Sequence, residues 1–311
     1  MLSVQNISVS YETVAVLKKV TFSVEKGERL VIVGESGCGK TTLLKTIAGQ
    51  IQPFAGEVLV DKERIKGPNE QLVPGHPKIK LVNQDFGLET FHTVEENIRL
   101  RLIQFNKEYI DFRIETLLKV TGLKKNRHQL AKQLSGGQKQ RLAIARALAD
   151  EPEVLLLDEP FNQLDYFLKT RIENYIDAYI KQYNITLVMV SHNAEETMRW
   201  GENVMYLNSG KIARIDTPVA FYDNPTNKKE AGFFGVVNTV RIDGKYYSFR
   251  PHQFSLGRNH ENVIKINVSL ERIVNKGWYY EHLVSYGKKT IQLYHYQPIK
   301  SIDSIYFKPL F

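Results

Sequence analysis

Eight consecutive residues, Gly34-Glu35-Ser36-Gly37-Cys38-Gly39-Lys40-Thr41, fit the spacing G-x-x-x-x-G-K-[ST]. That spacing holds nucleotide phosphates. Glycines let the backbone turn tightly and bring its N–H groups close to the anion. The start of the helix that follows adds partial positive charge. Lys40 is then placed to reach the β- and γ-phosphates and the Thr41 hydroxyl to ligate Mg2+, with Thr42 a further phosphate contact. Downstream, the apolar run Val154–Leu157 ends in two adjacent carboxylates, Asp158 and Glu159. Carboxylates at the C-terminal end of a parallel strand lie on the ligand edge of such a sheet, where Asp158 is expected to hold Mg2+ through water. Between these strings stands Leu134-Ser135-Gly136-Gly137-Gln138, a small-residue stretch leading into a second helix start.

The elements around these strings have the right types. Leu30–Val33 is a short apolar run before the glycine-rich loop and reads as a buried strand. Thr41 to Gly49 reads as a helix, with Leu43, Leu44 and Ile47 on its apolar face and Gly49 as its stop. Strand, turn and helix form the setting that a true phosphate loop requires. Residues 2–9 and 20–24 alternate as strands do, and residues 94–120 are helical in pattern. A helix is expected to begin near Gln138 and run to Leu148. Val154–Leu157 and Thr186–Val190 read as parallel central strands, with helical patterns near 110–120 and 168–182 between the core strands. The fold class is therefore α/β.

Near residue 225 the texture changes. After Gly235 come short strand-like runs at 240–242, 246–249, 263–268, 282–285, 290–294 and 304–307, divided by Gly, Asn and Pro. These predict a small β-barrel over 236–311, with its aromatics filling the core. Residues 235–311 carry eleven Lys and Arg against five Asp and Glu, most of the net charge of +8. No apolar stretch approaches the roughly 18–20 residues of a membrane helix, and the start lacks signal-peptide regions. The expectation is a cytoplasmic chain that meets any membrane through a partner. The single cysteine, Cys38, excludes an intrachain disulfide. It is either a thiol near the nucleotide or, the preferred reading, a small residue that fits a tight turn.

The phosphate loop, LSGGQ and the Asp-Glu strand end, in this order, resemble the ATP-binding-cassette (ABC) family, over about residues 1–235. The resemblance implies a P-loop cassette with a helical subdomain at about 88–148. It makes Glu159 the residue that polarises the attacking water, a task a carboxylate can perform. It gives His192, in Ser191-His192-Asn193, a contact to the γ-phosphate, although Asn193 stands where the family often has Asp. Gln84 resembles the family's glutamine loop, which touches Mg2+ and couples to the membrane partner. Thr90-Phe91 replaces the usual Pro-His pair in that region. Tyr11 resembles the aromatic that stacks on adenine.

A chain with two phosphate-binding helix starts and one nucleotide is explained if LSGGQ serves a second subunit. That is the family arrangement, with two cassettes holding two ATP molecules head to tail. Ser135, Gly136, Gly137 and Gln138 would complete the partner's site, and Asp165 would link the sites across a homodimer. Residues 201–235 and Phe249-Arg250-Pro251-His252 resemble cassettes of binding-protein-dependent importers of the polyamine, ferric-iron and maltose types. Those carry an OB-like (TOBE) barrel after the cassette. The implied partners are integral-membrane permease subunits and, indirectly, an extracytoplasmic solute-binding protein. The chain would lie peripherally at the cytoplasmic face of the membrane. The competing reading is a soluble cassette ATPase whose basic, aromatic tail acts on nucleic acid or ribosomes. It is disfavoured because ribosome-acting cassettes carry two cassettes per chain and DNA-repair cassettes carry long inserts.

Overall fold

The computed structural model describes residues 1–72, 74–83, 85–149, 151–257 and 263–310. Two compact units divide the chain, Met1–Asp216 and Thr217–Phe311. This division falls before the texture change near 225 and before the expected cassette end at 235. The reason is the buried Arg250, whose guanidinium donates to the carbonyl oxygens of Tyr222, Ala231 and Gly235 at 3.2, 2.7 and 3.3 Å. Those bonds tie residues 222–235 to the strands that follow.

In the first unit the elements are β1 (Leu2–Tyr11), β2 (Val14–Val24), β3 (Arg29–Val33), α1 (Lys40–Ile47), β4 (Ala55–Val60), β5 (Glu63–Arg64) and β6 (Ile79–Val82). They continue as α2 (Val94–Arg99), α3 (Lys107–Val120), α4 (Gly136–Ala149), β7 (Val154–Asp158), α5 (Tyr166–Tyr183), β8 (Thr186–Val190), α6 (Ala194–Trp200), β9 (Asn203–Asn208) and β10 (Lys211–Asp216). One sheet has the order β2-β1-β4-β5 and is antiparallel. The other has the order β10-β9-β3-β8-β7-β6, parallel except for β10. Every residue of β3, β7 and β8 is buried, as expected for central parallel strands covered on both faces. Leu43, Leu44 and Ile47 of α1 share one core with Leu2, Val4 and Ile7 of β1 and with Leu30, Ile32, Val188 and Val190 of the parallel sheet. The helix bearing the phosphate loop is thus fixed by both sheets.

The periodic run 94–120 forms two helices, not one. The Asn106 side chain accepts from Tyr109 N at 2.9 Å, so a new helix starts at Lys107. At the head of α2, Thr93 and Glu96 form a capping box. Ile98, Ile114, Leu117 and Leu142 are fully buried where α2, α3 and α4 pack on one another.

The second unit begins with α7 (Pro218–Asp223) and α8 (Lys228–Phe233). Its strands are β11 (Asn238–Ile242), β12 (Lys245–Phe249), β13 (Phe254–Ser255), β14 (Ile264–Asn267), β15 (Ser269–Asn275), β16 (Tyr280–Tyr286), β17 (Lys289–His295) and β18 (Ser304–Phe307). They form three antiparallel sheets, β11-β12, β13-β18-β14 and β15-β16-β17, consistent with an OB-like domain. Val240, Ile266, Val284 and Leu293 pack with Phe249 and Phe307 in its core, the two rings stacked at 4.1 Å. The expectation that aromatics fill this core holds only in part. Phe249 and Phe307 fill it together with aliphatic side chains, whereas Tyr246 and Trp278 are exposed.

Candidate active site

The phosphate loop joins the buried end of β3 to α1. Gly34 has φ +149°, and a Cβ there would lie 2.2 Å from the carbonyl oxygen of Leu207. Only glycine fits that close approach. Gly39, at φ +107°, precedes α1, which has no side-chain cap and no acid in its first turn. The helix start is therefore left to an anion. Lys40 is buried, and its Nζ donates to the carbonyl oxygens of Gly34 and Glu35 at 2.8 and 3.0 Å. The ammonium is held across the mouth of the loop. Cys38 packs into the hydrophobic core, and burial pushes its thiol pKa up. This is the small-residue role, with an unreactive thiol. Thr42 is buried, and Thr41 is half-buried.

Asp158 ends β7 at 3% exposure, and neither carboxylate oxygen has a hydrogen-bond partner among the described residues. Burial pushes its pKa up, against a smaller opposing effect of the neighbouring Thr41 hydroxyl, which lies outside good hydrogen-bond geometry. Two unpartnered buried oxygens beside a threonine hydroxyl are a donor set that a hard cation such as Mg2+ fits. The same geometry makes an energetic prediction. A carboxyl whose pKa is raised on folding contributes stability that is lost as pH rises from the ordinary carboxylate value through the raised one. Asp158→Asn removes that loss. Above this window it is expected to raise the melting temperature of the nucleotide-free protein. Scanning calorimetry with and without the substitution checks it; a lower melting temperature in the variant contradicts it.

Glu159 stands at φ +51°, a left-handed conformation uncommon for a residue with a side chain. Three neighbours hold it. Gln140 Nε2 donates to its carbonyl oxygen at 3.1 Å, its own N–H donates to the Val190 oxygen at 3.1 Å, and Asn162 Nδ2 donates to Oε2 at 2.6 Å. His192 Nδ1 lies 3.3 Å from the same Oε2, with the histidine side chain more than half exposed. The pairing of β7 with β8 places Asp158 beside Val190, which brings Glu159 and His192 together. Asn193 is the N-cap of α6, accepting from Glu196 N at 3.0 Å, a task Asn performs as well as Asp. Gln140 carries no motif signal as a positioning residue, and only the tertiary fold brings it to Glu159, whereas Asn162 reaches the carboxylate from three residues along the chain.

Ser135 and Gln138 bond each other in a capping box at the start of α4, with Ser135 N to Gln138 Oε1 at 2.9 Å and Gln138 N to Ser135 Oγ at 3.3 Å. Helix α4 thus starts at Gly136, slightly earlier than expected, with Ser135 and Gly136 exposed. A Cβ at Gly137 would lie 2.8 Å from the Gln163 carbonyl oxygen, and one at Gly136 2.7 Å from the Gln163 side-chain oxygen, so both glycines fit closely against Gln163. Asp165 caps α5, accepting from Leu168 N at 3.1 Å, and is exposed. Tyr11 ends β1 with its ring half exposed. Gln84 lies outside the described residues; its neighbour Asp85 pairs with Lys45 of α1 at 3.3 Å.

A phosphate loop on one strand, a carboxylate pair on a second and a histidine after a third define an ATP-binding P-loop ATPase of the cassette type. The ABC transporter family matches residues 17–162. The spermidine/putrescine import ATP-binding protein PotA of Thermotoga maritima is 37% identical over 252 residues, 79% of this chain and 67% of that protein. The protein of the same name from Legionella pneumophila is 37% identical over 244 residues, 78% of this chain and 66% of that protein. The chain therefore spans about two thirds of the length of these relatives. Two structures of the ATP-binding cassette MJ0796 superpose with a TM-score of 0.63 each, at 30% and 31% identity. Each covers 70% of this chain and 99% of the cassette; both are dimeric, one bound to ADP and phosphate. The chain belongs to the ABC transporter family, and within it to the importer-type ATP-binding subunits.

Proposed function

We propose that two copies of this chain close head to tail over two ATP molecules, LSGGQ of one copy facing the phosphates held by residues 34–42 of the other. The observation that carries this reading is a second helix start offered to solvent. Helix α4 opens with exposed Ser135 and Gly136, while α1 already serves the phosphate loop. The dimeric cassettes of the same fold support it.

In each composite site Lys40 and the loop N–H groups hold the triphosphate, and Tyr11 stacks on adenine. Asp158 and Thr41 hold Mg2+, and Gln84 contributes a further contact to the metal, as the family resemblance implies. When bound, Mg2+ neutralises charge on the β- and γ-phosphates. Glu159 takes the proton of the attacking water as its oxygen bonds the γ-phosphorus and the bond to the ADP oxygen breaks. Asn162 and His192 fix the carboxylate for that transfer, and His192 also reaches the γ-phosphate. Asp165 links the two sites.

ATP turnover then drives permease subunits in the membrane, with the dimer bound peripherally on the cytoplasmic face. An extracytoplasmic binding protein acts through the permease alone. The relatives named for spermidine and putrescine import make those solutes the first to test.

Mixed dimers test the trans arrangement. A chain with Ser135→Arg paired with a chain with Lys40→Ala leaves one composite site with both lesions and the other with none. Tight ATP binding is expected at one site per dimer, and none in either homodimer at matched concentration. Loss of both sites in the mixed dimer sinks the head-to-tail reading. Co-purification with a polytopic membrane protein supports the transport role, whereas salt-sensitive retention of single-stranded RNA supports the nucleic-acid alternative.

A further inference from the structure

The second unit contains a pocket of about 650 Å3 that the nucleotide chemistry does not use. Its walls include Tyr222, His252, Trp278, Tyr279 and Tyr294, with Arg250 beneath them. The Trp278 and Tyr279 rings lie 4.6 Å apart, and those of Tyr279 and Tyr294 4.8 Å apart, both pairs tilted. Trp278 is nevertheless 76% exposed, so its indole offers a large uncovered face at the rim.

Arg250 sets the charge. It is 1% exposed, and its Nε has no hydrogen-bond partner among the described residues. The other guanidinium nitrogens are spent on carbonyl oxygens, and the group lies 4.4 Å over the Tyr222 ring. Among the described residues no Asp or Glu lines the pocket; the exposed Asp223 lies outside the lining, and its charge reaches Arg250 and His252. Burial and the Arg250 charge hold His252 below the usual histidine range, so it is neutral at neutral pH. Burial pushes the Tyr294 phenol up to about 12 and raises that of Tyr222. Both phenols stay neutral donors. Among the described lining residues the pocket therefore has one fixed charge, the positive Arg250, behind aromatic walls, with Asp223 outside the lining. Its volume is that of an ordinary small-molecule site.

We propose that this pocket binds a flat aromatic anion of one or two fused rings, its ring against Trp278, Tyr279 and Tyr294 and its anionic group toward Arg250. Aromatic faces also attract cations, but here the guanidinium already occupies one face, at Tyr222, and repels a second cation. The site is independent of the transport reading, because no phosphate-contacting residue takes part.

Calorimetric titration of the full chain, with ADP saturating the cassette site, tests it. Naphthoate, naphthamide and naphthylmethylamine present one ring with a negative, a neutral and a positive substituent. Naphthoate is expected to bind most tightly, the amide about tenfold more weakly, and the amine not at all. Trp278→Ala, at an exposed position outside the core, is expected to weaken naphthoate by about tenfold. Equal binding of all three probes, preference for the amine, an unchanged Trp278→Ala titration or no binding of naphthoate each overturns the proposal. The same chemistry in a nucleic-acid strand is distinguished by comparing uridine monophosphate with oligouridylate. Tighter binding of the oligomer, lost in Trp278→Ala, makes the surface a strand-binding track and also overturns it.

Discussion

Glu159→Gln is expected to bind ATP as the parent chain does and to turn it over at least about a hundredfold more slowly. The amide keeps the volume of the carboxylate and an oxygen that can accept the Asn162 bond of 2.6 Å. It cannot take a proton from water. The left-handed backbone at this position is no harder for Gln than for Glu, so the fold is expected to survive. With chemistry blocked and binding intact, the ATP-bound dimer should accumulate and elute as such in gel filtration. Near-normal steady-state hydrolysis by the variant would falsify the assignment. His192→Ala supplies a second reading, since His192 Nδ1 lies 3.3 Å from the same carboxylate oxygen. Groups that act as a unit lose activity non-additively. The double variant is therefore expected to be about as slow as Glu159→Gln alone, and multiplied losses would separate the two roles.

Lys40→Ala attacks binding instead of turnover. Its ammonium is buried and already directed at the loop, bonding the carbonyl oxygens of Gly34 and Glu35. Removing it takes a charge-assisted contact from the triphosphate and leaves two loop carbonyls open. The expected loss of ATP affinity is roughly ten- to hundredfold. Lys40→Arg is expected to restore little of it. A planar guanidinium does not replace a compact ammonium in a space this enclosed. Calorimetry with ATP and with ADP decides. Unchanged ATP affinity in Lys40→Ala contradicts the role, and an equal loss for ADP would place the lysine on the β-phosphate alone.

The parts of this site that were legible in the chain are those whose chemistry lies within a few neighbouring residues. The phosphate loop is one turn of backbone and the first turn of one helix, so its glycines, Lys40 and Thr41 declare themselves by spacing. The reciprocal capping of Ser135 and Gln138 also spans only three residues, yet it was not legible in the chain: the helix expected to start near Gln138 starts at Gly136. The central strands were legible because burial on both faces demands continuous apolar runs. What the fold alone decided involves meetings between distant segments. Glu159 is held by Gln140 from a preceding helix and by His192 from beyond β8, and neither contact has a local signature. Strand β15 was hidden because a bulge between Leu270 and Arg272 breaks the alternation by which strands are read. A single cap at Asn106 cut one apparent helix into two. In the second unit, composition announced many aromatics but not their placement. A core of aliphatic side chains and the Phe249–Phe307 pair leaves Trp278 and Tyr246 outside, and only the packing of β16 and β17 gathers Tyr279 and Tyr294 into one wall above Arg250. Periodicity reports which face of an element is apolar; which elements share a face is set by the packing of the whole chain.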